Sequence, residues 1–413
     1  MNTKSILFLL FLALLSALLA CQFSPELPST ASESDQPLAD QPPIPPEIPI
    51  DMANDIPNAV SADEPSMIVP VFSNPVIFDF EMFSPTNGWG VTQDQNHLLR
   101  TEDGGQTWLN VTPPDLDSLS PGSTSFGIRP CFLDENTIWF TPSADGNSTL
   151  YHTRDGGINW ILTPVPFGNA HYDFLDLSIG YALVDLGAGA GSHYVALYRT
   201  LDGGASWTMV FTHEPGVSKS LSEGGAKNGI TFRGVDHGWI GGSIPMDDYF
   251  YLYTTEDGGQ TWAEEVDITL PPAFVGSMLD VWQPMLVDAS TTYLPVRAYV
   301  PDGGLYLMIY RSSDYGQTWD FQGAVEDGRT VDFYSAHSGW LAAEYMLYQT
   351  FDGGITWSAV STPGIPAGEF FLNVDFIDDQ NGWALTAFDD DTWDPLFLYR
   401  TINGGASWTQ LLP

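Results

Sequence analysis

A nine-residue motif that recurs seven times constrains this chain more than any other feature. The first copy reads RTEDGGQTW and the last reads RTINGGASW. Successive copies are 38 to 57 residues apart, which is the length of one unit in radially repeated β proteins. The turn residues of the copies are Asp103, Asp155, Asp202, Asp257, Asp314, Asp352 and Asn403, and the tryptophans are Trp108, Trp160, Trp207, Trp262, Trp319, Trp357 and Trp408.

A second motif precedes most copies and indicates a further turn. A Gly-containing turn between two segments of alternating apolar residues is typical of a β-hairpin. Each copy therefore predicts two hairpins, and seven four-stranded units can close radially. We predict an all-β, seven-bladed β-propeller of four-stranded antiparallel blades over residues 67–413. The second motif lies at Asn87–Trp89, His237–Trp239, Ser338–Trp340 and Asn381–Trp383, and more weakly at Thr137–Trp139 and Ile179–Tyr181.

The repeated motif has a local physical logic. Aspartate tolerates turn conformations and accepts bonds from nearby N–H groups, and the glycine pair adopts positive φ without steric cost. The tryptophan is expected to pack against a neighbouring blade. A recurring aspartate also suggests a metal-binding or catalytic string, but each one sits in a turn that needs it, so we favour the structural interpretation. Three copies depart from the pattern, at Asn159, Tyr315 and Asn403, and we expect looser turns there.

Residues 1–20 have the layout of a secretory signal. One basic residue, Lys4, precedes an apolar stretch from Ile6 to Ala20, which is too short for a comfortable membrane span. The segment Leu18–Cys21 resembles the lipobox of bacterial lipoproteins. This resemblance implies cleavage before Cys21, acylation of its sulfur and an extracytoplasmic protein held to the membrane by that lipid anchor. The alternative is an ordinary signal peptide followed by a chance cysteine.

Residues 21–66 are rich in proline and contain nine acidic residues and no basic ones, so we predict a disordered tether. Residues 67–413 carry 43 acidic and 11 basic residues. Such a surface repels phosphate backbones and anionic headgroups, which argues against nucleic acid and against direct lipid binding. We expect a monomer whose partners are basic protein surfaces, cations or neutral glycans. The alternative is that the acidity only keeps the protein soluble.

The two cysteines, Cys21 and Cys131, lie far apart in different chemical settings. We therefore expect neither a disulfide framework nor a cysteine metal site. Cys131 is expected to be a small buried apolar residue on a strand.

The repeated motif is identified as the Asp-box, or BNR repeat, which resembles the repeats of sialidases, sortilin-type receptors and some glucan-cleaving propellers. The paired form, a Gly-Trp hairpin followed by the Asp-box, most resembles the photosystem II assembly/stability factor-like propellers. The resemblance covers roughly residues 75–412. The members of that family are non-catalytic assembly scaffolds, so the resemblance implies such a role. It is specific for the fold and weak for function, because the box is structural wherever it occurs.

Two classes of enzyme, sialidases and other glycoside hydrolases, are alternatives to the scaffold, and each requires particular residues. A sialidase-like site needs three arginines for a carboxylate, a tyrosine nucleophile with a glutamate, and an acidic aspartate. Five of the nine arginines occupy repeat positions or lie within a box, which leaves four others. Other glycoside hydrolysis needs only two facing carboxylates, and nothing in the sequence selects a pair. The four remaining arginines are Arg129, Arg233, Arg297 and Arg329.

The loops opposite the Asp-box turns are the better candidates for binding. Three connections there are long, at Asp185–His193, Gly241–Tyr249 and Phe388–Pro395. Carboxylates mixed with aromatics suit a basic protein patch, a sugar, or Ca²⁺ as the one cofactor considered. Solvated loops without a partner are the alternative. The candidate binding residues are Asp247, Asp248, Tyr249, Asp389, Asp390, Asp391, Trp393 and Asp394.

From these observations we expect a lipid-anchored binding or assembly module, with a carbohydrate-active propeller as the rival. Blade seven should end at Thr409–Pro413, and Met67–Phe72 is expected to pair beside it and close the ring.

Overall fold

The computed structural model describes residues 69–117, 127–142, 148–213, 220–265, 268–388 and 393–412. The predicted signal peptide, the lipidation site Cys21 and the tether lie outside these ranges. The described residues form an all-β fold, with one four-residue helix, α1 (Pro114–Asp117), and one short 3-10 helix at Pro272–Phe274.

The strands follow the sequence repeats, which are numbered 1 to 7 in chain order. Repeat 1 forms β1 (Ile77–Met82), β2 (Gly88–Thr92), β3 (Leu98–Thr101) and β4 (Leu109–Asn110). Repeat 2 forms β5 (Cys131–Phe132), β6 (Ile138–Phe140), β7 (Thr149–Thr153) and β8 (Ile161–Pro164). Repeat 3 forms β9 (Ala170–Phe174), β10 (Gly180–Gly189), β11 (Ser192–Thr200) and β12 (Thr208–Thr212).

The later repeats continue the same order. Repeat 4 forms β13 (Ala226–Arg233), β14 (His237–Asp247), β15 (Leu252–Thr255) and β16 (Ala263–Glu264). Repeat 5 forms β17 (Met278–Val281), β18 (Met285–Leu286), β19 (Thr292–Tyr299), β20 (Leu305–Ser312) and β21 (Asp320–Glu326). Repeat 6 forms β22 (Gly328–Phe333), β23 (Gly339–Ala343), β24 (Met346–Thr350) and β25 (Ser358–Val360), and repeat 7 forms β26 (Phe370–Phe376), β27 (Gly382–Ala387), β28 (Leu396–Thr401) and β29 (Thr409–Leu412).

Repeats 1, 2, 3, 6 and 7 each form a separate four-stranded antiparallel sheet. Repeats 4 and 5 share one nine-stranded sheet, because β14 extends far enough to pair with β17. The first strand of repeat 5 is split, and both of its parts, β17 and β18, pair with β19.

The apolar core lies between consecutive repeats. Seven clusters of buried side chains each combine residues of two neighbouring repeats, and one of them joins repeat 7 to repeat 1. Each motif tryptophan belongs to the cluster that its repeat shares with the preceding one, as the sequence predicts. Burial of these large rings provides a substantial share of the apolar area removed from water.

An aromatic stack recurs at four of these junctions. The aromatic residue of the second strand lies face to face with the Phe that ends the first strand of the next repeat, at centroid distances of 3.5–4.1 Å. In repeats 3 and 6 a glycine precedes that aromatic residue, and it has a packing reason beyond turn formation. A Cβ on Gly180 would lie 2.5 Å from the Phe174 ring, so only glycine lets the ring cover the strand.

The turns of the seven repeated motifs, five of which read Asp-Gly-Gly, share one hydrogen-bond pattern. In repeat 6, Thr356 donates to the Asp352 carboxylate through its N–H at 2.9 Å and its hydroxyl at 2.7 Å. Gly354 N–H donates to the Thr350 hydroxyl at 2.9 Å. In six repeats the first glycine also donates its N–H to the turn that joins the first two strands. Both turns therefore lie at one end of each sheet, which we call the Asp-turn end.

The expectation of looser turns is wrong at Asn159 and Asn403, and in repeat 5, which has Tyr315, the bonds within the turn are also kept. The Asn159 side-chain amide replaces a hydroxyl and donates to Asp155 at 2.7 Å. Tyr315 adopts the positive φ of the missing glycine. Asn403 accepts from Ser407 N–H at 3.0 Å and donates to its hydroxyl at 2.9 Å.

We expected Met67–Phe72 to pair beside β29, and this prediction is wrong for the described part of the segment. Val71 forms a bridge with Leu109 in β4, and Phe72 N–H donates to the Trp108 carbonyl at 2.8 Å. It therefore extends the outer edge of repeat 1. Repeat 7 is complete without it, because β29 pairs with β28.

Candidate binding site

A cavity of about 590 Å³ opens at the end of the sheets opposite the Asp-turn end. Its lining comes from repeats 3, 4 and 5. The lining residues are Ala188, Gly189, Gly191–His193, Gly225, Ala226, Ser243–Pro245, Met278–Asp280 and Tyr299.

Two of the three predicted loops build this cavity, but they are strands rather than loops. Asp185–His193 forms the upper part of the β10–β11 hairpin, with pairing up to Gly189 and Ser192. Most of Gly241–Tyr249 continues β14 as far as Asp247. Backbone pairing with β11 and with β17 keeps both segments extended, so the cavity has rigid walls.

Two rows of residues on one sheet form the cavity floor. Asp280 on β17 pairs with Ser243 on β14 and with Arg297 on β19. Met278 forms the next row, between Asp247 and Tyr299. Met278 and Asp280 are alternate residues of β17, so their side chains point to the same face of the sheet. The floor therefore consists of one polar row beside one largely apolar row.

Asp280 is the buried carboxyl group of the polar row, and its side chain is hydrogen-bonded. Its side chain is 6% exposed, and Asn228 donates to Oδ1 at 2.6 Å. Burial raises the pKa of Asp280 above its usual value, against the opposing effect of the Arg297 guanidinium. The Arg297 guanidinium also stacks on Trp282 and donates to a backbone carbonyl of Arg329 at 3.1 Å.

A buried lysine holds one wall of the cavity in place. Lys227 is 3% exposed, and its ammonium donates to the carbonyls of His193, Glu223, Gly224 and Gly225 at 2.8–3.4 Å. This arrangement ties the segment before β13 to the β10–β11 hairpin. The sequence analysis did not single out Lys227, because only its burial distinguishes it from a surface lysine.

His193 is also fixed by two partners. Its Nδ1 accepts from the Lys227 backbone N–H at 3.1 Å. Its Nε2 lies 3.3 Å from Asp185 Oδ1, so the proton of a neutral imidazole belongs on Nε2. The pair fastens the base of the hairpin and leaves this histidine without an open ring nitrogen.

The candidate residues of repeat 4 have different environments. Asp247 is exposed beside the floor row. Asp248 accepts from Gly276 N–H at 2.5 Å and donates its own N–H to the Ser277 carbonyl at 2.8 Å, so it joins repeat 4 to repeat 5. Tyr249 is half-buried, with its hydroxyl 3.3 Å from that of Tyr253.

In repeat 7, Asp389, Asp390 and Asp391 lie outside the described residues. Asp394 is exposed, but Trp393 is only 9% exposed and belongs to the core between repeats 7 and 1. Its ring stacks on Phe78 at 6.4 Å, and its carbonyl accepts from Gln93 at 3.3 Å. The prediction of Trp393 as an exposed binding residue is therefore wrong.

Several arginines hold neighbouring repeats together. Arg400 donates to the Pro85 carbonyl of repeat 1 at 2.7 Å, and Arg100 donates to Asn136 of repeat 2 at 3.2 Å. Arg233 binds carbonyls of repeat 5, among them that of Ala289 at 2.6 Å. Arg400 and Arg233 thus bind backbone of a neighbouring repeat, and Arg100 binds a side chain there.

Sequence reasoning missed a row of buried carboxyl groups on the first strands. Asp375 accepts from Met82 N–H at 2.7 Å, Asp332 from Phe376 N–H at 2.7 Å, and Asp173 from Phe232 N–H at 2.5 Å. Each bond joins one repeat to the next. Burial raises the pKa of Asp173 and of Asp332 to about 7. The signal in the sequence is an acid directly before the Phe of the first strand in repeats 1, 3, 6 and 7.

A related acidic group lies at the junction of the last and first repeats. Burial, followed by the charges of Asp375, Asp332 and Asp79, raises the pKa of Glu81 well above its usual value. Within the described part of the chain, no three His, Cys, Asp or Glu side chains are arranged to hold a metal ion.

Cys131 is buried on β5, as predicted. Its sulfur is disulfide-bonded rather than free, which corrects the expectation that the cysteines take no part in disulfides. The other cysteine of the chain, Cys21, lies outside the described residues. Among the residues with defined positions, no helix has the length and apolar character needed to cross a membrane.

Comparison with known proteins gives two groups of distant relatives. The chain is 25% identical over 273 residues to a photosystem II assembly lipoprotein, Ycf48, of Synechococcus sp. (strain CC9902), covering 66% of each chain. It is 26% identical over 289 residues to the xyloglucanase Xgh74A of Acetivibrio thermocellus, covering 60% of this chain and 31% of the enzyme. The chain thus spans just under two thirds of one relative and about a third of the other. No family model matches.

One solved structure supports the fold. An ancestral GH74 enzyme superposes with a TM-score of 0.51 at 13% identity, covering 83% of this chain and 47% of the enzyme. A structure described as YCF48 bound to D1 peptide gives a TM-score of 0.49 at 18% identity, with coverage of 80% and 94%. The chain is distantly homologous to the Ycf48 assembly factor. The propeller-like fold of the chain resembles that of the GH74 enzyme.

Proposed function

We propose that this protein is a non-catalytic, lipid-anchored extracytoplasmic binding module that holds a protein partner in the cavity of repeats 3 to 5. One observation carries this proposal. The titratable side chains at the cavity are engaged in fixing its walls: Asp280 binds Asn228, and His193 binds Asp185 and the backbone of Lys227.

The rival, glycoside hydrolysis, requires two carboxyl groups that face each other across the scissile bond. Among the described residues that line the cavity, Asp280 is the one carboxylic acid. Asp280 is buried and accepts from Asn228, which does not suit an acid or nucleophile that must reach a sugar, and the exposed Asp247 lies beside the cavity rather than in its lining. Distant homology to an assembly factor agrees with a binding role, and homology to a xyloglucanase keeps the rival open to test.

The scaffold of this module is a seven-bladed propeller in which the repeated turns are Asp-boxes. The seven shared core clusters support this architecture, since the last of them links repeat 7 to repeat 1. Closure of this kind leaves only short strand edges. The cavity would then lie on the face of the propeller opposite the Asp-boxes.

Turnover assays test the absence of catalysis. The full-length protein is incubated with chromogenic glycosides, xyloglucan and related polysaccharides, beside a xyloglucanase as the positive control. We expect no product above the buffer rate. The protein would instead be an enzyme if the wild type formed product and Asp280→Asn abolished this activity. The control variant Asp320→Asn, at an exposed position, should then retain it.

The lipid anchor has its own test. Cys21→Ser is expected to move the protein from the membrane fraction to the soluble fraction, and intact mass of the wild type should show the acyl chains. Thioether acylation and a disulfide compete for the same sulfur. Peptide mapping without reduction identifies the partner of Cys131, and a Cys21–Cys131 disulfide in the mature protein would overturn the anchor.

A further inference from the structure

The cavity combines an apolar interior with acidic groups beside it. Met278, Ile244 and Pro245 contribute apolar surface to the lining, and Leu279 and Tyr299 extend it. Asp247 is exposed at the end of the floor row. Asp185, at the base of the hairpin wall, is also exposed to solvent. Apolar contact and negative charge are thus presented side by side.

The hairpin wall leaves space for an incoming side chain. Its tip, Gly187–Gly191, contains only glycine and alanine and is exposed. A Cβ added to Gly189 would meet no heavy atom within 4 Å. The volume of about 590 Å³ lies within the range of ordinary ligand sites, about 300–1,000 Å³, and accommodates large apolar side chains.

We infer that the cavity receives an apolar side chain of an extended polypeptide segment that carries Lys or Arg beside this anchor. The inference rests on the proposed function and specifies its partner. Buried apolar anchors supply most of the affinity of such contacts, whereas neighbouring cations supply specificity and faster association. Residues 67–413 carry 43 acidic and 11 basic residues, so the protein attracts a cationic segment and repels an acidic one.

Binding of fluorescent peptides to the full-length protein tests this inference. Three matched peptides are used: a Phe or Leu anchor flanked by lysines, the same anchor flanked by glutamates, and a lysine-flanked serine. We expect the first to bind at least about tenfold more tightly than either of the others, and its affinity to fall with added salt.

Two variants with matched controls locate the site. Gly189 does not adopt positive φ, so Gly189→Trp fills the cavity without backbone strain, and we expect at least about a tenfold loss of affinity. Ala406→Trp places the same ring on an exposed position of the Asp-turn end and should change nothing. Asp247→Lys should weaken binding about threefold to tenfold at low salt, whereas Asp320→Lys, on the outer strand β21, should leave it unchanged.

Each remaining outcome contradicts the inference. Equal binding of the lysine-flanked and glutamate-flanked peptides, or full binding by Gly189→Trp, would overturn it. If the glutamate-flanked peptide alone bound and Gly189→Trp abolished that binding, the proposed protein-binding function would stand and only the partner chemistry would fail. If no peptide bound and a polysaccharide did so in a Gly189-dependent manner, both would fail.

Discussion

Trp340 of repeat 6 and Phe376 of repeat 7 lie face to face, with their ring centroids 4.1 Å apart and their planes 9° apart. Trp408, from the Asn-Gly-Gly turn of repeat 7, meets the same Phe376 edge-on at 5.9 Å. Phe376 therefore contacts the preceding repeat through Trp340 and the turn of its own repeat through Trp408.

Removal of this ring should be costly. Phe376→Ala is expected to lower the free energy of unfolding by about 3–5 kcal/mol, because it leaves a cavity between two buried tryptophans. Urea denaturation at fixed pH measures the change. Phe388→Ala, at a side chain that is 51% exposed, serves as the control and should stay within about 1 kcal/mol. Equal effects of the two substitutions would contradict the role assigned to the stack.

The buried carboxyl groups predict a decrease of stability with rising pH. Burial raises the pKa of Asp173 from 3.8 to about 7 in the folded protein. The folded state therefore binds the proton more tightly, and its contribution is complete below about pH 4 and lost as the pH rises through 7. At about 1.4 kcal/mol per pKa unit, the loss from Asp173 is at most about 4 kcal/mol.

Asp173→Asn tests this prediction, since the amide oxygen still accepts from Phe232 N–H. The variant should flatten the decline of the melting temperature between pH 5 and pH 8. Asp352→Asn is the control. The Thr356 hydroxyl, followed by its N–H, lowers the pKa of Asp352, so its contribution is lost only as the pH falls below about 4. A wild-type melting temperature that rises from pH 5 to pH 8 would refute the prediction.

The Asp-Gly-Gly turns should tolerate asparagine but not alanine. Asn403 already replaces aspartate in repeat 7 and keeps both bonds to Ser407. Asp352→Asn should therefore preserve most of the turn at pH 7, whereas Asp352→Ala removes the acceptor for Thr356 and for the Thr350 hydroxyl. Differential scanning calorimetry should show the larger fall in melting temperature for alanine, and the reverse order would disprove the shared turn chemistry.

Lys227 is predicted to matter for the shape of the cavity as well as for stability. Lys227→Met keeps the apolar stem but removes the lysine donor from four buried or part-buried carbonyls, which should cost about 1–3 kcal/mol. Hydrogen exchange should accelerate at Gly225, whose N–H donates to the Gly191 carbonyl at 3.0 Å. Exchange at Gly404, in a distant turn, provides the internal control. Unchanged exchange at Gly225 would show that the lysine does not hold this wall.

The repeated features of the fold were predictable because their causes are local. Each Asp-Gly-Gly turn is closed by residues within four positions of the aspartate, so the motif itself contains its interactions. The same reasoning failed where one group substitutes for another, as the Asn159 amide does for a hydroxyl. It also missed Tyr293, which occupies the stacking position of repeat 5 without a preceding glycine.

The site was less predictable because it depends on contacts between distant residues. The loops of repeats 3 and 4 were correctly placed opposite the turns, but both are strands. The repeat 3 segment is extended by pairing within the β10–β11 hairpin, and the repeat 4 segment by pairing with β17, more than 30 residues away. Trp393 reads as an exposed loop residue, yet Phe78 and Gln93, some 300 residues earlier, cover it. The composition of the loop alone does not show whether the Trp393 ring is buried between two repeats or exposed for binding.

The pairing of β14 with β17 has a mechanical consequence. Elsewhere in the described chain, neighbouring repeats form separate sheets joined by side chains and a few isolated backbone bonds, such as that from Gly225 to Gly191, so a pulling force can detach one repeat without breaking a sheet. Repeats 4 and 5 share backbone hydrogen bonds between Ser243 and Asp280 and between Asp247 and Met278. Under load these two repeats should rupture as one larger step, and the floor of the cavity should survive until that step occurs.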